Sequence, residues 1–368
     1  MSPPDERLRA RDLGVTIGSY TPGACNAITD VPGVEVGQTT VRWGAPDLPP
    51  GEGPACTGVT AIWPARDVLD NPVAAGFFAL SGAGELTDRS EIEELGHIGT
   101  PIALTGTMQV GLVYDAICRY LIERVPGIGG EQGVLIPVVA ECDDSYLHDA
   151  RGFHLTHEHV YAALDSATGG PVAEGCVGGG TGMVCFNFKG GIGTSSRLLP
   201  PEHGGWTVGA LVMTNFGRCS RLSFAGVPLG CQLPPVPGEP PAPSDRGSCI
   251  VVVATDAPLD GRQLARVAKR AALGLGRTGS TGSNGSGELL IAFSTGYRPR
   301  EPPGTLRRLT IESDAIDPIF VATIDAVEEA VLSSLCMATT TTGRYGRVVP
   351  ALDLQVVRAA LARYPGVE

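Results

Sequence analysis

A chain of 368 residues is long enough to bury a sizeable hydrophobic core, and its length alone would allow roughly two domains. Its formal net charge of -12 argues against a nucleic-acid-binding protein, because neutralising phosphates requires clustered Lys and Arg. Glycine contributes 51 residues, about twice the share expected at roughly 7% usage, which favours an enzyme of sheets and tight turns over a helical bundle.

The ten cysteines are scattered and include no CxxC pair, which is typical of buried thiols in a reducing compartment rather than of a disulfide framework. The amino terminus, MSPPDERLRARD, is charged and lacks the apolar run of a signal peptide. No window reaches the roughly 18 apolar residues of a membrane span. We therefore expect a cytoplasmic protein that binds neither membranes nor nucleic acid.

Short apolar runs bounded by turn residues predict buried strands in the first two-thirds of the chain. These strands are 58–65, 101–106 and 134–142, followed by strands joined by tight turns in the glycine-rich stretch 175–193 and at 206–217. A helix is predicted between the second and third strands, where apolar residues recur at helical spacing from Val113 to Leu121. Another helix should begin after Thr156, an N-cap residue.

Residues 232–246, QLPPVPGEPPAPSDR, contain six prolines and almost no large apolar side chain. Such a segment cannot bury enough surface to offset the entropy lost on ordering, so it is expected to be a flexible tether or surface loop. A linker between two domains is the alternative, but the segment that follows favours one continuous domain.

That segment contains an apolar strand at 248–255, a helix from Asp260 to about Leu273, and another apolar strand at 287–295. A strand, a helix and a strand make a crossover unit. If both strands belong to one sheet they are parallel and begin at the same edge.

The residues at this edge carry the chemistry. Ser248 begins the first strand, and Ser286 and Glu288, two positions apart and so on the same side, begin the second. A serine hydroxyl is a weak nucleophile until a neighbouring group accepts its proton, and these residues are candidates for such neighbours. Because serines are also frequent in turns, an ordinary turn explains the pattern as well.

Six segments, found in this order, carry a family resemblance. They are RARDLG (9–14), NAITDVPGVEVG (26–37), GGGTGM (178–183), FKGGIGTSSR (188–197), GSCIVVVATDAPL (247–259) and GSGELLIAFST (285–295). With them the chain resembles, over nearly its whole length, the family of the L-aminopeptidase/D-Ala-esterase/amidase DmpA and the β-aminopeptidases. The resemblance implies a single α+β domain, 1–368, with a four-layer αββα sandwich of the DmpA/ornithine-acetyltransferase type, similar in architecture to Ntn hydrolases.

The resemblance also implies self-cleavage between Gly247 and Ser248 into an α chain, 1–247, and a β chain, 248–368. The two chains would stay associated and form a homo-oligomer, a tetramer of αβ units. Ser248 would be the nucleophile, Ser286 and Glu288 its partners, and Asn215 an oxyanion-hole residue. The implied activity releases amino-terminal residues from short peptides, amides or esters, without metal or organic cofactor. The general base stays open between the Ser248 α-amine and the Ser286–Glu288 pair.

The acidic loop ECDDSYLHD (141–149) offers candidate substrate-binding residues. A free substrate amine is cationic and needs a carboxylate or carbonyl partner, because a buried unpaired charge is very unfavourable. Glu141 ends a predicted strand, and Asp143, Asp144 and Tyr146 follow in the loop beyond it, where binding residues commonly lie. The family carries a tyrosine about where Asp143 stands, and Tyr146 is the candidate to replace it. A solvated acidic loop is the plain alternative.

Other motifs in the sequence have structural rather than catalytic or ligand-binding explanations. His154, His157 and His159 lack the spacing of a helical zinc site, Lys189 has no GKS or GKT context, and GLGRTG (274–279) closes a helix instead of opening one. Cys249 is a rival nucleophile, but it should face the side opposite to Ser248. An acyltransferase of the ornithine-acetyltransferase type and a catalytically inactive binding scaffold are the alternative functions.

Overall fold

The computed structural model describes residues 7–233, 246–299 and 314–364. Its strands are β1 (Glu35–Trp43), β2 (Ala55–Trp63), β3 (Val73–Gly82), β4 (His97–Ile98), β5 (Ile102–Gly106), β6 (Val138–Cys142), β7 (Val184–Cys185), β8 (Phe188–Lys189), β9 (Ile192–Leu198), β10 (Thr207–Asn215), β11 (Arg246–Thr255), β12 (Gly285–Ser294), β13 (Thr341–Thr342) and β14 (Val348–Val349). Its α-helices are α1 (Arg89–Leu95), α2 (Val110–Arg124), α3 (His157–Asp165), α4 (Gly261–Thr278), α5 (Asp317–Met337) and α6 (Leu354–Leu361).

Two sheets pack face to face, one in the order β1-β2-β5-β6 and one in the order β4-β3-β12-β11-β10-β9. Apolar residues on their inner faces, such as Ile62 and Ile250, share one core. The alternate residues of the six-stranded sheet, such as Val251, pack in a second core with α4 and α5. Helices α2 and α3 cover the four-stranded sheet. The predicted four-layer αββα sandwich is confirmed.

The predicted crossover unit, β11-α4-β12, forms the centre of the six-stranded sheet. Its two strands are parallel, and β10 and β3 flank them in the antiparallel direction. Asp260 caps α4 by accepting a hydrogen bond from Gln263 N at 2.8 Å. The helix continues beyond the predicted end near Leu273 because Gly274 packs against α5 without breaking the helix. It ends at Gly279, whose φ of 107° is left-handed.

Two further sequence predictions needed correction. The strand predicted at 134–142 starts only at Val138, since Pro137 has no N–H to donate to the ladder. The glycine-rich stretch contains a 3-10 turn and the two-residue strands β7 and β8 before β9 begins. Thr156 does precede α3, and its N–H donates to Nδ1 of His159 at 3.1 Å.

The predicted tether, 232–246, lies outside the described residues from position 234 to 245. All ten cysteines are free thiols, as their spacing predicts. In the described part of the chain, no helix has both the length and the apolar character needed to cross a membrane.

Candidate active site

Ser248 lies at the amino-terminal end of β11, in the middle of the six-stranded sheet. Its main chain is aligned with Asn215 of β10 on one side and with Gly287 of β12 on the other. The residue is only 5% exposed, and its Oγ accepts a hydrogen bond from Asn215 Nδ2 at 3.2 Å. The hydroxyl is therefore held in one place at the end of a central strand, which suits a positioned nucleophile.

The side-chain amide of Asn215 is oriented by two further hydrogen bonds. Its Oδ1 accepts from Val184 N at 2.9 Å, so Nδ2 must face the other way. Nδ2 donates to the main-chain oxygen of Asp143 at 2.9 Å as well as to Ser248 Oγ. One N–H is thus fixed on the loop after β6, and the other is directed at the nucleophile. This arrangement can stabilise negative charge that develops beside Ser248 Oγ.

Ser286 and Glu288 form a contact pair, as their spacing predicts. The Ser286 hydroxyl donates to Glu288 Oε1, and both residues are buried. Burial raises the pKa of Glu288, and the hydrogen bond from Ser286 offsets this only in part. Within the described residues, Glu288 Oε2 has no hydrogen-bond partner. This carboxylate is therefore a poorly solvated group that favours a cation or a proton nearby.

The edge of the sheet is the predicted one, but the side chains leave it on opposite faces. Because Ser248 is aligned with Gly287, the Ser248 side chain emerges on the face between the two sheets. Ser286 and Glu288 emerge on the other face. The two hydroxyls therefore do not meet through their side chains as the sequence suggested. The Ser248 main chain lies next to the pair instead.

Cys249 shares the face of Glu288. It packs in the core that contains Val251 and α4, and burial raises the pKa of its thiol well above the ordinary value. A buried, protonated thiol directed away from Ser248 is a poor nucleophile. The expected orientation of Cys249 is confirmed.

Glu141 is the penultimate residue of β6. Its Oε1 accepts from Glu85 N at 3.0 Å, and its Oε2 accepts from the Thr107 hydroxyl. Burial raises the pKa of Glu141, and these two hydrogen bonds lower it in part. No ion pair with this carboxylate occurs in the described residues. The neighbouring residue Cys142 is buried close to Ser248, and its thiol donates to the Met213 main-chain oxygen at 3.6 Å.

The other two substrate-binding candidates lie differently. The Asp143 side chain is exposed and accepts from Ser145 N at 2.9 Å, so this residue serves the site through its main-chain oxygen. The ring of Tyr146 lies under the Arg347 guanidinium, 4.6 Å from its centre. The Tyr146 main-chain oxygen also accepts from Arg347 at 3.0 Å. Of the three candidates, Glu141 alone presents a buried carboxylate.

Thr107 was not found from the sequence, and the burial of Asp144 was not foreseen. Thr107 follows β5, which is parallel to β6, so both strands end at the same edge and Thr107 reaches Glu141. That crossover pattern was a usable signal. Asp144 is fully buried, and burial raises the pKa of its carboxyl to about 7. An acidic run in a loop gave no sign of this burial.

The motifs set aside from the sequence have structural roles. Lys189 is buried and its Nζ donates to the main-chain oxygens of Gly180, Met183 and Gly190 at 3.2, 2.8 and 2.9 Å. His159 accepts the N-cap hydrogen bond of α3, and His157 Nε2 lies 2.9 Å from Asp115. Across residues 7–233, 246–299 and 314–364, no cluster of His, Cys, Asp and Glu could hold a metal ion.

Comparison with known proteins places this geometry among peptidases. Peptidase family S58 matches the chain over residues 26–349. The β-peptidyl aminopeptidase BapA of Sphingosinicella xenopeptidilytica is 45% identical over 377 aligned positions, which cover 97% of this chain and 92% of the relative.

Solved structures of aminopeptidases agree with this family match. The β-aminopeptidase of a Burkholderia species superposes with a TM-score of 0.88 at 42% identity, covering 97% of this chain and 99% of the other. The L-aminopeptidase D-Ala-esterase/amidase of Ochrobactrum anthropi superposes with a TM-score of 0.87 at 37% identity, covering 98% and 99%. The latter is described as a prototype of the serine aminopeptidases and a variant of the Ntn-hydrolase fold.

Proposed function

The chain belongs to peptidase family S58 and is an aminopeptidase-type hydrolase with an Ntn-like fold, and from this premise we propose that Ser248 removes amino-terminal residues from short peptides, amides or esters. The observation that carries the proposal is that each sheet contributes one buried polar group. One is a hydroxyl directed by an amide donor, and the other is the Glu141 carboxylate without a cation.

The nucleophile is released by cleavage of the Gly247–Ser248 bond. Ser248 Oγ attacks the Gly247 carbonyl, the amide shifts to an ester with release of the Ser248 amine, and water hydrolyses the ester. The structure supports glycine at this position: a methyl group on Gly247 would lie 3.0 Å from Phe216 Cα and 3.1 Å from the Asn215 main-chain oxygen. A larger residue would crowd the attacked bond.

The two products, 1–247 and 248–368, remain associated in this proposal. Strands β11 and β12 of the β chain lie between β10 and β3 of the α chain, so both of their edges are paired. Buried ion pairs add to this contact: Arg197 lies 2.7 Å and Arg11 lies 3.0 Å from Glu329 of α5. Separating the chains would expose the core and leave these charges without partners.

In the mature enzyme the α-amine of Ser248 is the general base. An α-amino group ordinarily has a pKa of about 7.7–8.0, which leaves part of it neutral near pH 7. Gly247 is aligned with Ser286 and Ser248 with Gly287, which supports a role for the Ser286–Glu288 pair in orienting this amine and stabilising its protonated form. The amine takes the Oγ proton as Oγ attacks the substrate carbonyl, and later returns it to the leaving amine.

The remaining residues act on the substrate. Asn215 Nδ2 donates to the oxyanion that forms beside Ser248 Oγ. Glu141 binds the cationic substrate amine, which gives this buried carboxylate the partner it lacks. The acyl-enzyme ester is then hydrolysed by water. We also propose a cytoplasmic homo-oligomer of αβ units. Free thiols throughout the chain support the reducing compartment.

Self-cleavage is the first prediction and the direct test. Denaturing electrophoresis of the purified protein should show two chains, and amino-terminal sequencing of the smaller should begin at Ser248. Ser248→Ala should remain a single chain and hydrolyse nothing, because it lacks the attacking oxygen. A terminus at Cys249, or an active preparation that is one intact chain, would overturn the assignment. The acyltransferase alternative is not favoured, since the named relatives are aminopeptidases.

A further inference from the structure

Lys189 is a fully buried side chain whose hydrogen-bond partners are all neutral. Its Nζ donates to the main-chain oxygens of Gly180, Met183 and Gly190. Three acceptors match the three hydrogens of an ammonium group, whereas a neutral amine has only two. The side chain is therefore a buried cation, and such a charge favours an anion nearby.

Two thiols and one further cation lie close enough to this ammonium to act on its pKa. They are Cys176, Cys56 and Arg42. Burial raises the pKa of Cys56 to about 11, and its thiol donates to the Thr181 main-chain oxygen at 3.3 Å, so it stays protonated. Arg42 carries the same sign of charge as the ammonium. Cys176 is therefore the group among them that can supply the anion.

Hydrogen-bond donors converge on the sulfur of Cys176. Thr339 N donates to Sγ at 3.3 Å and the Thr339 hydroxyl donates at 3.7 Å, while the Thr341 hydroxyl lies 3.8 Å away. The protonated thiol can in turn donate to the Thr339 main-chain oxygen at 3.5 Å. Burial alone would raise the pKa of Cys176, but the Lys189 charge and these donors hold it below the ordinary value.

Exposure does not distinguish Cys176 from two other thiols of the chain. Cys25, Cys118 and Cys176 are all partly exposed. Burial raises the pKa of Cys25 and of Cys118, and a nearby carboxylate adds to the rise, Asp30 for the first and Asp115 for the second. Because the thiolate and not the thiol is the nucleophile, the surroundings of Cys176 make it the reactive one of the three.

The same ammonium connects this thiol to the candidate active site. The peptide group between Met183 and Val184 makes two of the hydrogen bonds described above. Its oxygen accepts from Lys189 Nζ at 2.8 Å, and its N–H donates to Asn215 Oδ1 at 2.9 Å. Lys189 therefore fixes the peptide group that orients the amide donor of the nucleophile.

We propose that Cys176 is a covalent modification site for carbon electrophiles, held as a thiolate by Lys189 and by the donors of Thr339 and Thr341. With an alkyl halide, the thiolate sulfur forms a bond to carbon, the carbon–halogen bond breaks and halide leaves; the thiol proton has already gone to solvent. The product is a neutral thioether, so Lys189 loses its anionic neighbour beside a larger group. The peptide group that orients Asn215 then shifts and turnover falls. This last consequence rests on the proposed function, whereas the reactivity of Cys176 does not.

Labelling kinetics test the site without any substrate. The purified protein is treated with iodoacetamide, and mass spectrometry of its peptides follows each cysteine. At pH 7, Cys176 should react roughly tenfold or more faster than Cys231, although Cys231 is the more exposed. The pH midpoint of Cys176 labelling should lie below about 8.5, the usual value for a thiol. Faster labelling of Cys231, or a midpoint at or above that value, would overturn the inference.

Variants separate the charge from the donors. Lys189→Met should raise the midpoint and slow Cys176 labelling at pH 7 by roughly tenfold, because the opposite charge is gone. Since this variant also leaves three buried carbonyls without a donor, Thr339→Val is the milder test. It should slow labelling by roughly two- to tenfold, the range of one hydrogen bond.

Thr342→Val is the matched control. Thr342 is an exposed neighbour of the same segment, and its hydroxyl makes no hydrogen bond to Cys176 in the described part of the chain. This control should leave the labelling rate within about twofold. Equal labelling rates in Thr339→Val and Thr342→Val, with Lys189→Met folded and also unchanged, would remove the environment as the cause of the reactivity.

The effect on turnover is measured on the same labelled samples. For a free-amine p-nitroanilide, kcat should fall in step with Cys176 labelling, by roughly ten- to a hundredfold, approaching the loss of one oxyanion donor, with KM little changed. Cys176→Ser should keep its own untreated rate after exposure to the reagent, while Cys231→Ser should still be inactivated.

The outcomes separate this inference from the proposed function. An unchanged kcat at full Cys176 labelling would overturn the connection to Asn215, and a rise in KM alone would replace it with obstruction of the substrate by the adduct. If the untreated enzyme hydrolyses no free-amine anilide, the proposed function fails, and the labelling rates still decide whether Cys176 is a modification site.

Discussion

Two buried groups of charges in this molecule are built on opposite principles. Around α5, Arg197 and Arg11 both pair with Glu329, which also accepts from Asn26. Burial alone would raise the pKa of Glu329, but these partners hold it below the ordinary value. At the candidate active site, burial raises the pKa of Glu141 and of Glu288, and neither has an ion-pair partner in the described part of the chain.

The difference shows what each region is for. A buried carboxylate paired with guanidinium groups is satisfied by the fold itself and holds segments together. A buried carboxylate without a cationic partner in the fold lowers the stability of the protein. Such a group is retained where a cation binds during function. In the proposed mechanism two ammonium groups arrive, the Ser248 amine near Glu288 and the substrate amine at Glu141. Substitutions in the two groups should therefore have different effects on turnover and on stability.

Neutralising Glu288 should have the largest effect. Glu288→Gln should lower kcat by roughly two to four orders of magnitude, the usual contribution of a group involved in proton transfer. Ser286→Ala should also lower kcat, because it removes the hydroxyl that donates to this carboxylate. If the pair stabilises the protonated Ser248 amine, Glu288→Gln must also move the acidic limb of the kcat–pH profile to lower pH.

Losses below tenfold in both variants, with self-cleavage and folding intact, would reduce the pair to turn residues. A large loss with an unmoved acidic limb would remove the amine as the group they act on.

Removing the amide donor of Asn215 should have the second-largest effect on kcat. Asn215→Ala should lower kcat by roughly a hundredfold, because it deletes one oxyanion-hole donor. The loss should fall on kcat and kcat/KM alike, since the donor acts on charge present only in the transition state. Steady-state kinetics on one free-amine anilide measures both. An unchanged kcat would transfer the oxyanion role to another donor.

Glu141→Gln should act on binding and not on turnover. KM for a free-amine anilide should rise by roughly ten- to a hundredfold, about 1.4 kcal/mol for each factor of ten, with kcat little changed. Because the folded-state pKa of Glu141 is raised, the ionised carboxylate destabilises the fold above that pKa, and stability falls as pH rises through it. The variant should therefore melt at a higher temperature at neutral pH. An unchanged KM would remove Glu141 as the anchor.

The ion-paired group around Glu329 should give the reverse result, a loss of stability without a loss of turnover. Arg197→Met leaves Glu329 with less compensation in a buried place, so it should destabilise the protein by about 3–5 kcal/mol, while the kcat of the folded fraction stays at the wild-type value. Chemical denaturation and active-site titration measure the two quantities separately. Stabilisation by Arg197→Met together with destabilisation by Glu141→Gln would reverse the assignment of the two groups.

Local periodicity was sufficient to predict much of the fold. The apolar runs, the Asp260 cap and the crossover unit place Ser248 and the Ser286–Glu288 pair at one edge of a sheet, because a parallel pair joined by a helix must begin at one edge. The face on which each side chain emerges depends on register. A shift of the pairing register by one residue moves every side chain of a strand to the other face of the sheet. No local pattern in β11 or β12 specifies this register.

Tertiary contacts explain the rest of what was missed. The sequence predicts the end of α4 about one turn early because a glycine at 274 favours a stop, whereas Gly274 allows close packing with α5. Asp143 and Asp144 are adjacent in sequence, yet one is exposed and the other is fully buried. Their difference arises from the strands that surround the loop, which an acidic run does not reveal.

The central position of β11 has a consequence for how the mature enzyme can be lost and regained. In the proposed mechanism the cut bond lies in a strand that is paired on both sides, so cleavage would follow folding. The denatured mature protein would then be two chains, and its refolding would be a bimolecular reaction whose yield depends on concentration. The mature form is then protected by slow unfolding rather than by easy reassembly, and its lifetime is set by a rate.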